Sequence, residues 1–576
     1  MGFLLKYLKE YKKESILGPL FKLLEASFEL MVPLVMAKVI DVGIAGRDTG
    51  YIVRMCLIMV LLGIVGLASS LTAQYFAAKA AVGCTTGIRQ GLFSHIAGLA
   101  YSDLDMLGTS ALITRMTNDL NQVQSGVNMA LRLFLRSPFI VAGVMIMAFT
   151  INVKAALVFV VVIPLLSVIV FGVMAVTIPL YKKVQNALGE VLSSTRENCT
   201  GVRVIRAFTK EEEEMEAFYE ENLFLSGLQK KVGSISALMN PGTYIIINLG
   251  IVVLIYTGAV QVENGIITQG EVVALVNYMS QILVELIKFA NCIVLVTKAL
   301  ASAGRVESVF GVTSSMEEGE GAQGDHSGSI EFKQVGLKYP GCGEDVLTDV
   351  SFGAKRGEVV GVIGSTGSGK SSLVQLIPRF YEATQGEILV DGVDVKAYHM
   401  EELRKLVGMV PQHAVLFSGT IRDNLLWGNE DATDEELWEA LRIAQAKEIV
   451  MGKEDGLDTY ITAGGGNLSG GQKQRLTIAR ALVRRPEFLI LDDSASALDF
   501  ATEAKLREGI QELRGETTVF MVSQRISSIK HSDRIVVLDD GKVAAVDSHD
   551  NLLRDCQVYQ EIYHSQVKSQ EGGASA

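Results

Sequence analysis

Residues 468–499 read LSGGQKQRLTIARALVRRPEFLILDDSASALD. The first half is a Gly-rich turn opening a helix. Leu468-Ser469-Gly470-Gly471-Gln472 offers a serine hydroxyl and unshielded backbone N–H groups at a helix N-terminus, where an anion is favoured. The second half, Phe488–Leu491, is a short apolar run of the buried-strand kind. It ends on Asp492 and Asp493, which a parallel strand would deliver to a ligand at its carboxyl end.

Upstream lies a complete phosphate-binding loop, Gly364-Ser365-Thr366-Gly367-Ser368-Gly369-Lys370-Ser371, with Ser372 after it. It follows the strand-like Glu358–Ile363 and precedes a helix-like run, the context that such a loop requires. The loop alone is a weak signal. With LSGGQ and a strand ending in carboxylates behind it, the order resembles the nucleotide-binding domain of an ABC transporter.

At 576 residues the chain is too long for one domain. It is 49% apolar, and long uncharged runs fill its first half while almost none follow Gly311. A membrane part followed by a soluble α/β part accounts for this segregation. A net charge of −12 without a basic stripe excludes a nucleic-acid partner. Cys56, Cys84, Cys199, Cys292, Cys342 and Cys556 show no C-x-x-C pairing, which suggests free thiols in a reducing compartment. No cleavable signal peptide is expected. Residues Gly2–Glu14 set four lysines among apolar side chains, as an interfacial helix on the cytoplasmic leaflet would.

Six membrane spans are expected, near Ile16–Val42, Tyr51–Ala100, Phe134–Ile151, Ala155–Leu180, Ala237–Val260 and Glu271–Lys298. The second has no breaker before Ala100, so it would overshoot the bilayer. Basic residues from Lys182 to Lys231 crowd the segment between spans four and five, whereas the presumed outer loops carry only Arg47 and Lys154. Charge thus places both termini in the cytoplasm, as expected of a multi-pass protein of the cell membrane. The resemblance is to exporters, whose membrane domain shares a chain with the ATPase. Leu112–Asp119 and Gly201–Phe208 resemble the intracellular loops of that family, which implies short coupling helices near Ser102–Leu107 and Ala207–Glu212. The acidic run Glu211–Glu214 reads as a solvated helix face or as a coupling contact. Boundaries follow: a membrane domain over 1–312, a Gly/Ser/Glu-rich linker over 313–328, the nucleotide-binding domain over 329–566 and a disordered tail over 567–576.

The resemblance implies ATP and Mg²⁺. Backbone amides of Gly364–Ser371 would wrap the phosphates, Lys370 would neutralise them, and Ser371, Asp492 and Gln412 would hold the metal. Tyr339 matches the aromatic that stacks on adenine, and Asp499 the loop that meets a second subunit. Leu468–Gln472 would close over ATP held by that subunit.

Three positions depart from the family pattern. Glu normally follows the metal-binding Asp and handles the attacking water; here Asp493 stands, one methylene shorter, withdrawing its carboxylate by about 1.5 Å. An error near 1 Å can cost about 100-fold in rate. A His normally meets the γ-phosphate where this chain has Gln524, and an amide cannot become a cation. Ala463 replaces a Glu before LSGGQ. With the signature intact, the pattern resembles one half of a heterodimeric bacterial exporter: a poor site on its own loop, and a competent signature serving a partner. A slow homodimeric exporter and an ATP-gated, channel-like subunit are the alternatives.

In span six, Asn277, Gln281, Glu285, Lys288 and Asn291 fall on one stripe at about 100° per residue. The stripe either lines the substrate path or seals a helix contact, with Glu285 and Lys288 neutralising each other. Glu25 and Glu29 pose the same choice, with Lys22 as partner. If they meet cargo, Glu29 and Glu285 would favour cations. The cargo itself, a small molecule, lipid or peptide, is not specified by any of these residues.

Overall fold

The computed structural model describes residues 2–322 and 324–573. The chain divides into two compact units, 1–97 with 110–312, and 98–109 with 313–576.

The first unit is helical. Its main helices are Lys12–Lys38, Thr49–Ala97, Arg136–Ile151, Val153–Ala207, Glu211–Ala237, Met239–Glu263 and Gln269–Phe310. Among the described residues, five helical stretches are long and apolar enough to cross a membrane. Lys12–Lys38 is of spanning length too, but it carries Lys22, Glu25 and Glu29. Thr49–Ala97 is unbroken over 49 residues, as the absence of a breaker led one to expect. One of its faces leaves Leu57, Leu61, Ile64 and Leu67 exposed, and the other buries Ala73, Ala77, Ala80 and Ala81. Small residues there let backbones approach, as in membrane bundles. Asp41 accepts hydrogen bonds from Thr268 Oγ1 and from the Gly270 N–H at 2.7 Å, tying the first helical segment to the last. Only glycine fits at 270, because a Cβ would lie 2.4 Å from the Ala37 carbonyl oxygen.

The second unit holds two principal sheets. One is antiparallel, in the order Leu347–Ala354, Ile330–Leu337, Gln385–Val390, Val393–Asp394. The other has six strands, in the order Lys542–Asp547, Arg534–Asp539, Val359–Gly364, Thr518–Val522, Phe488–Asp492, Val407–Val410. All but its first pairing are parallel. The three central strands are buried throughout, the reason each reads as a continuous apolar run. Val522 pairs with both Asp492 and Val362, so three strands deliver their carboxyl ends to one edge.

A short helix at Tyr101–Leu107 matches the first expected coupling helix. The second is not a separate element. Val153–Ala207 runs into a turn at Phe208–Lys210, with Thr209 left-handed at φ 54°, and Glu211 begins the next long helix. The run Glu211–Glu214 is the exposed first turn of that helix, where carboxylates complement the macrodipole and Lys210 pairs with Glu213. Residues 313–322 and 324–328 form neither helix nor strand. The final helix continues to Gly573, through most of the segment expected to be a disordered tail. Residues 574–576 lie outside the described residues.

Candidate functional site

The phosphate loop leaves the end of strand Val359–Gly364. Gly367 and Gly369 take φ of 87° and 90°, the left-handed region that glycine enters without strain. A Cβ on Gly364 would lie 2.3 Å from the Leu538 carbonyl oxygen. Glycine at these positions keeps the turn tight. Lys370 is buried and donates to the carbonyls of Gly364 at 2.9 Å and Ser365 at 2.6 Å. Burial pushes its ammonium pKa down, against the pull of Asp493 and Asp492. Ser368 Oγ is buried with no hydrogen-bond partner, and Ser365 and Thr366 are exposed.

Ser371 Oγ donates to Asp492 Oδ1 at 2.9 Å. Asp492 is 3% exposed, and its pKa is raised by burial and by the Asp493 charge. A hydroxyl and a desolvated carboxylate side by side are a hard-oxygen donor pair suited to Mg²⁺. An orphaned hydroxyl, a buried ammonium and a glycine-rich loop likewise fit nucleotide phosphates. These residues would hold MgATP, and the metal would screen charge on the β and γ oxygens.

Asp493 stands at φ 45°, with its N–H donating to the Val522 carbonyl at 3.0 Å. Its carboxylate accepts from Gln412 Nε2 at 3.5 Å, a weak contact. Its pKa is raised by burial, opposed by the Lys370 and Arg525 charges. Gln524 is exposed, and its backbone carbonyl accepts from Gln566 Nε2 at 2.7 Å. Lys370, Ser371, Gln412, Asp492 and Asp493 therefore form one connected group.

Tyr339 Oη donates to Ser372 Oγ at 3.0 Å, which holds the ring beside the phosphate loop. Sequence reasoning missed what lies behind it. Tyr381 meets Tyr339 edge-on at 4.9 Å and donates to Asp105 Oδ2 at 2.7 Å. Phe380 packs on Tyr101 at 4.8 Å. Asp105 and Tyr101 belong to the short helix Tyr101–Leu107, so an aromatic step joins that helix to Tyr339. The adjacent aromatics Phe380-Tyr381 were the available signal.

Ser469 caps helix Gly470–Val483. Its Oγ accepts from Gln472 N at 3.3 Å, and Gln472 Oε1 accepts from Ser469 N at 3.0 Å. Leu468 is buried, while Ser469 and Gly470 are exposed. A Cβ on Gly471 would come within 3.2 Å of the Ala497 carbonyl oxygen. Asp499 caps the next helix through Thr502. Among the described residues, no hydrogen bond or ion pair joins Leu468–Gln472 to the phosphate loop. Ala463 sits exposed in a 3₁₀ turn.

In the helical unit the structure favours the helix-contact alternative for Glu285. Arg136, which the stripe did not include, donates to Glu285 Oε1 at 2.7 Å and to Glu29 Oε2 at 2.6 Å. Ser137 Oγ and Lys288 Nζ also donate to Glu285, at 3.0 and 2.9 Å. Glu285 is 1% exposed and already compensated by two cations. Glu25 pairs with Lys22. Asn277 is exposed and Gln281 half-buried, so the stripe does not share one environment.

Comparison with known proteins decides the family. Residues 15–286 match the ABC transporter transmembrane region and residues 347–496 the ABC transporter domain. An uncharacterized ABC transporter ATP-binding protein of Bacillus subtilis is 36% identical over 572 residues, covering 99% of each chain. The chain belongs to the ABC transporter family. A putative multidrug export ATP-binding/permease protein of B. subtilis is 33% identical, covering 98% of this chain and 99% of that one. An ATP-dependent lipid A-core flippase of Yersinia pestis is 29% identical over 96% of each. The structure of a bacterial Atm1-family ABC exporter with ATP bound superposes with a TM-score of 0.79 at 22% identity, covering 96% of this chain and 98% of that one, and so shares the fold. This ABC transporter thus has the exporter arrangement, a membrane domain fused to its ATPase, and belongs to a family whose activity is ATP-coupled transport.

Proposed function

We propose that this chain is one half of a heterodimeric bacterial exporter. Its own phosphate loop builds a weakly hydrolytic MgATP site, and its LSGGQ serves the competent site of a second half-transporter. Asp493 is the observation that carries this reading. Among the described residues, this carboxylate, one methylene short of the usual Glu, has Gln412 as its only hydrogen-bond partner, at 3.5 Å, and Gln524 stands where a cationic partner is expected. Tyr339 stacks on adenine, and Ser371, Gln412 and Asp492 hold Mg²⁺. Both termini face the cytoplasm, on the strength of the basic segment between spans four and five. Relatives named for multidrug export and for lipid flipping support a cargo that partitions into the bilayer.

The test is steady-state ATPase of the purified chain in lipid, as wild type, Asp493→Ala and Gly471→Asp. Gly471→Asp would put a carboxylate against the γ-phosphate in a dry pocket. Slow hydrolysis by the wild type, little changed in Asp493→Ala, supports the asymmetric reading. Fast hydrolysis abolished equally by both substitutions would make the chain a competent homodimer with Asp493 as its base.

A further inference from the structure

At the start of the nucleotide-binding unit three segments meet, each contributing one metal-ligating side chain. His326 comes from the linker, Asp391 from the turn after strand Gln385–Val390, and Glu487 from the residue before strand Phe488–Asp492. One ligand atom from each lies within 4.8 Å of the other two. Strand pairing forces the approach: Ile330 lies opposite Val390, which brings residues 325–329 alongside Asp391. None of these residues takes part in the ATP site.

The cluster is incompletely satisfied. Asp391 is 1% exposed. Its Oδ1 accepts from the Ser329 N–H at 3.1 Å and from Ser327 Oγ at 3.4 Å, but its Oδ2 is buried with no partner. Glu487 Oε2 is also buried without a partner, while its Oε1 lies 3.1 Å from His326 Nδ1. Among the described residues no lysine or arginine pairs with either carboxylate. Two neighbouring carboxylates with unused buried oxygens are costly unless a positive charge or a proton lies between them. His326 and Asp391 are also held at left-handed φ of 53° and 50°, uncommon for residues with a Cβ.

We propose that His326, Asp391 and Glu487 bind a divalent transition-metal ion of the zinc class, which fastens residues 325–329 to the nucleotide-binding unit. The donor set selects the ion. Imidazole nitrogen with two carboxylate oxygens suits zinc and its neighbours, whereas magnesium and calcium take oxygen alone. Three protein ligands leave the fourth tetrahedral position for water. With metal–ligand bonds near 2.0–2.2 Å, donor atoms in a tetrahedron stand roughly 3.4 Å apart. The cluster therefore tightens on binding, which exposed His326 allows. A neutral imidazole and two carboxylates would make the complex with a 2+ ion neutral overall. A bound ion would couple linker order to metal supply, since a site assembled from three segments stabilises the fold that assembles it.

The experiment uses the full chain in detergent, stripped with chelator and free of nucleotide. Zinc is titrated by competition with a chromophoric chelator, and cobalt is substituted for its visible absorption. An Asp492→Asn background removes the metal-binding carboxylate of the ATP site. His326→Ala and Glu487→Gln carry the test, because neither residue is fully buried; Asp391→Asn is the variant that could misfold. The expected result is one ion per chain in the background protein, with tetrahedral cobalt bands, and at least tenfold weaker binding in both variants. Equal zinc stoichiometry and affinity in background, His326→Ala and Glu487→Gln proteins would overturn the site, as would a background protein that binds no zinc. In the second case the two carboxylates share a proton instead. Either result leaves the ATPase reading untouched, because hydrolysis is not the readout.

Discussion

Asp493 and Gln412 stand 3.5 Å apart, carboxylate to amide, and this long contact is the only hydrogen bond of the Asp493 side chain among the described residues. A base that orients water needs its oxygen within about 2.6–3.2 Å of its target. Asp493 follows directly on the strand that ends at Asp492, at a left-handed φ of 45°. On the proposed reading, the weakness of the site is one of reach.

Burial raises the Asp493 pKa in the folded protein, so its ionised form opposes folding. The sign follows: stability is lost as pH rises from the ordinary carboxyl value of 3.8 through the raised one. Asp493→Asn removes that charge, and Asn tolerates φ 45°. The nucleotide-free variant should melt higher at pH 7.5, by about 2 °C, the effect of under 1 kcal/mol in a domain of this size. The gain should vanish near pH 4. Thermal unfolding at both pH values checks this, and a gain that persists at low pH would assign it to backbone alone.

Tyr339→Ala should weaken ATP binding at this chain's site by about tenfold or more, because base–aromatic stacking contributes about 1–3 kcal/mol. Tyr339→Trp should largely keep it, since the π face does the binding. Unchanged affinity in the alanine variant would remove Tyr339 from the site.

Tyr381→Phe keeps the ring against Tyr339 and deletes the 2.7 Å bond to Asp105. ATP affinity should hold, while stimulation of ATPase by transported compounds should fall several-fold. Loss of affinity instead would mean that Tyr381 supports the adenine pocket and does not link it to the Tyr101–Leu107 helix.

Arg136→Met leaves Glu285 buried beside Lys288 alone and frees Glu29. Breaking a buried pair from one side costs about 3–5 kcal/mol. The single variant should be strongly destabilised in detergent, and Arg136→Met with Glu285→Met should recover much of the loss. Equal melting of wild type and Arg136→Met would show that the network bears no stability. Transport of cationic and neutral compounds by Glu285→Gln should change in parallel, since that carboxylate already has its cations.

The phosphate-loop turn, the strand ending in Asp492 and the serine-capped helix were legible because their motifs are local: glycines at fixed offsets, an apolar run ending in carboxylates, a serine opening a helix. The long helix Thr49–Ala97 was legible for the same reason, as an apolar run with no breaker. What stayed hidden required tertiary pairing. Arg136 lies 149 residues from Glu285 and Asp105 lies 276 from Tyr381, separations that periodicity within one helix cannot reveal. The second coupling helix was misread because Phe208–Lys210 is a turn too tight to hold an element of its own.

The central proposal is that a short carboxylate at Asp493 and an amide at Gln524 that cannot become a cation limit this chain's own site. Restoring both, as Asp493→Glu with Gln524→His, lengthens the carboxylate by about 1.5 Å and supplies a group that can become a cation. Steady-state ATPase of the purified chain without any partner measures the effect directly. The account predicts slow wild-type turnover and an increase of tenfold or more in the double variant, abolished again by adding Gly471→Asp. A wild-type chain that already turns over rapidly, and gains nothing from the two substitutions, would contradict it.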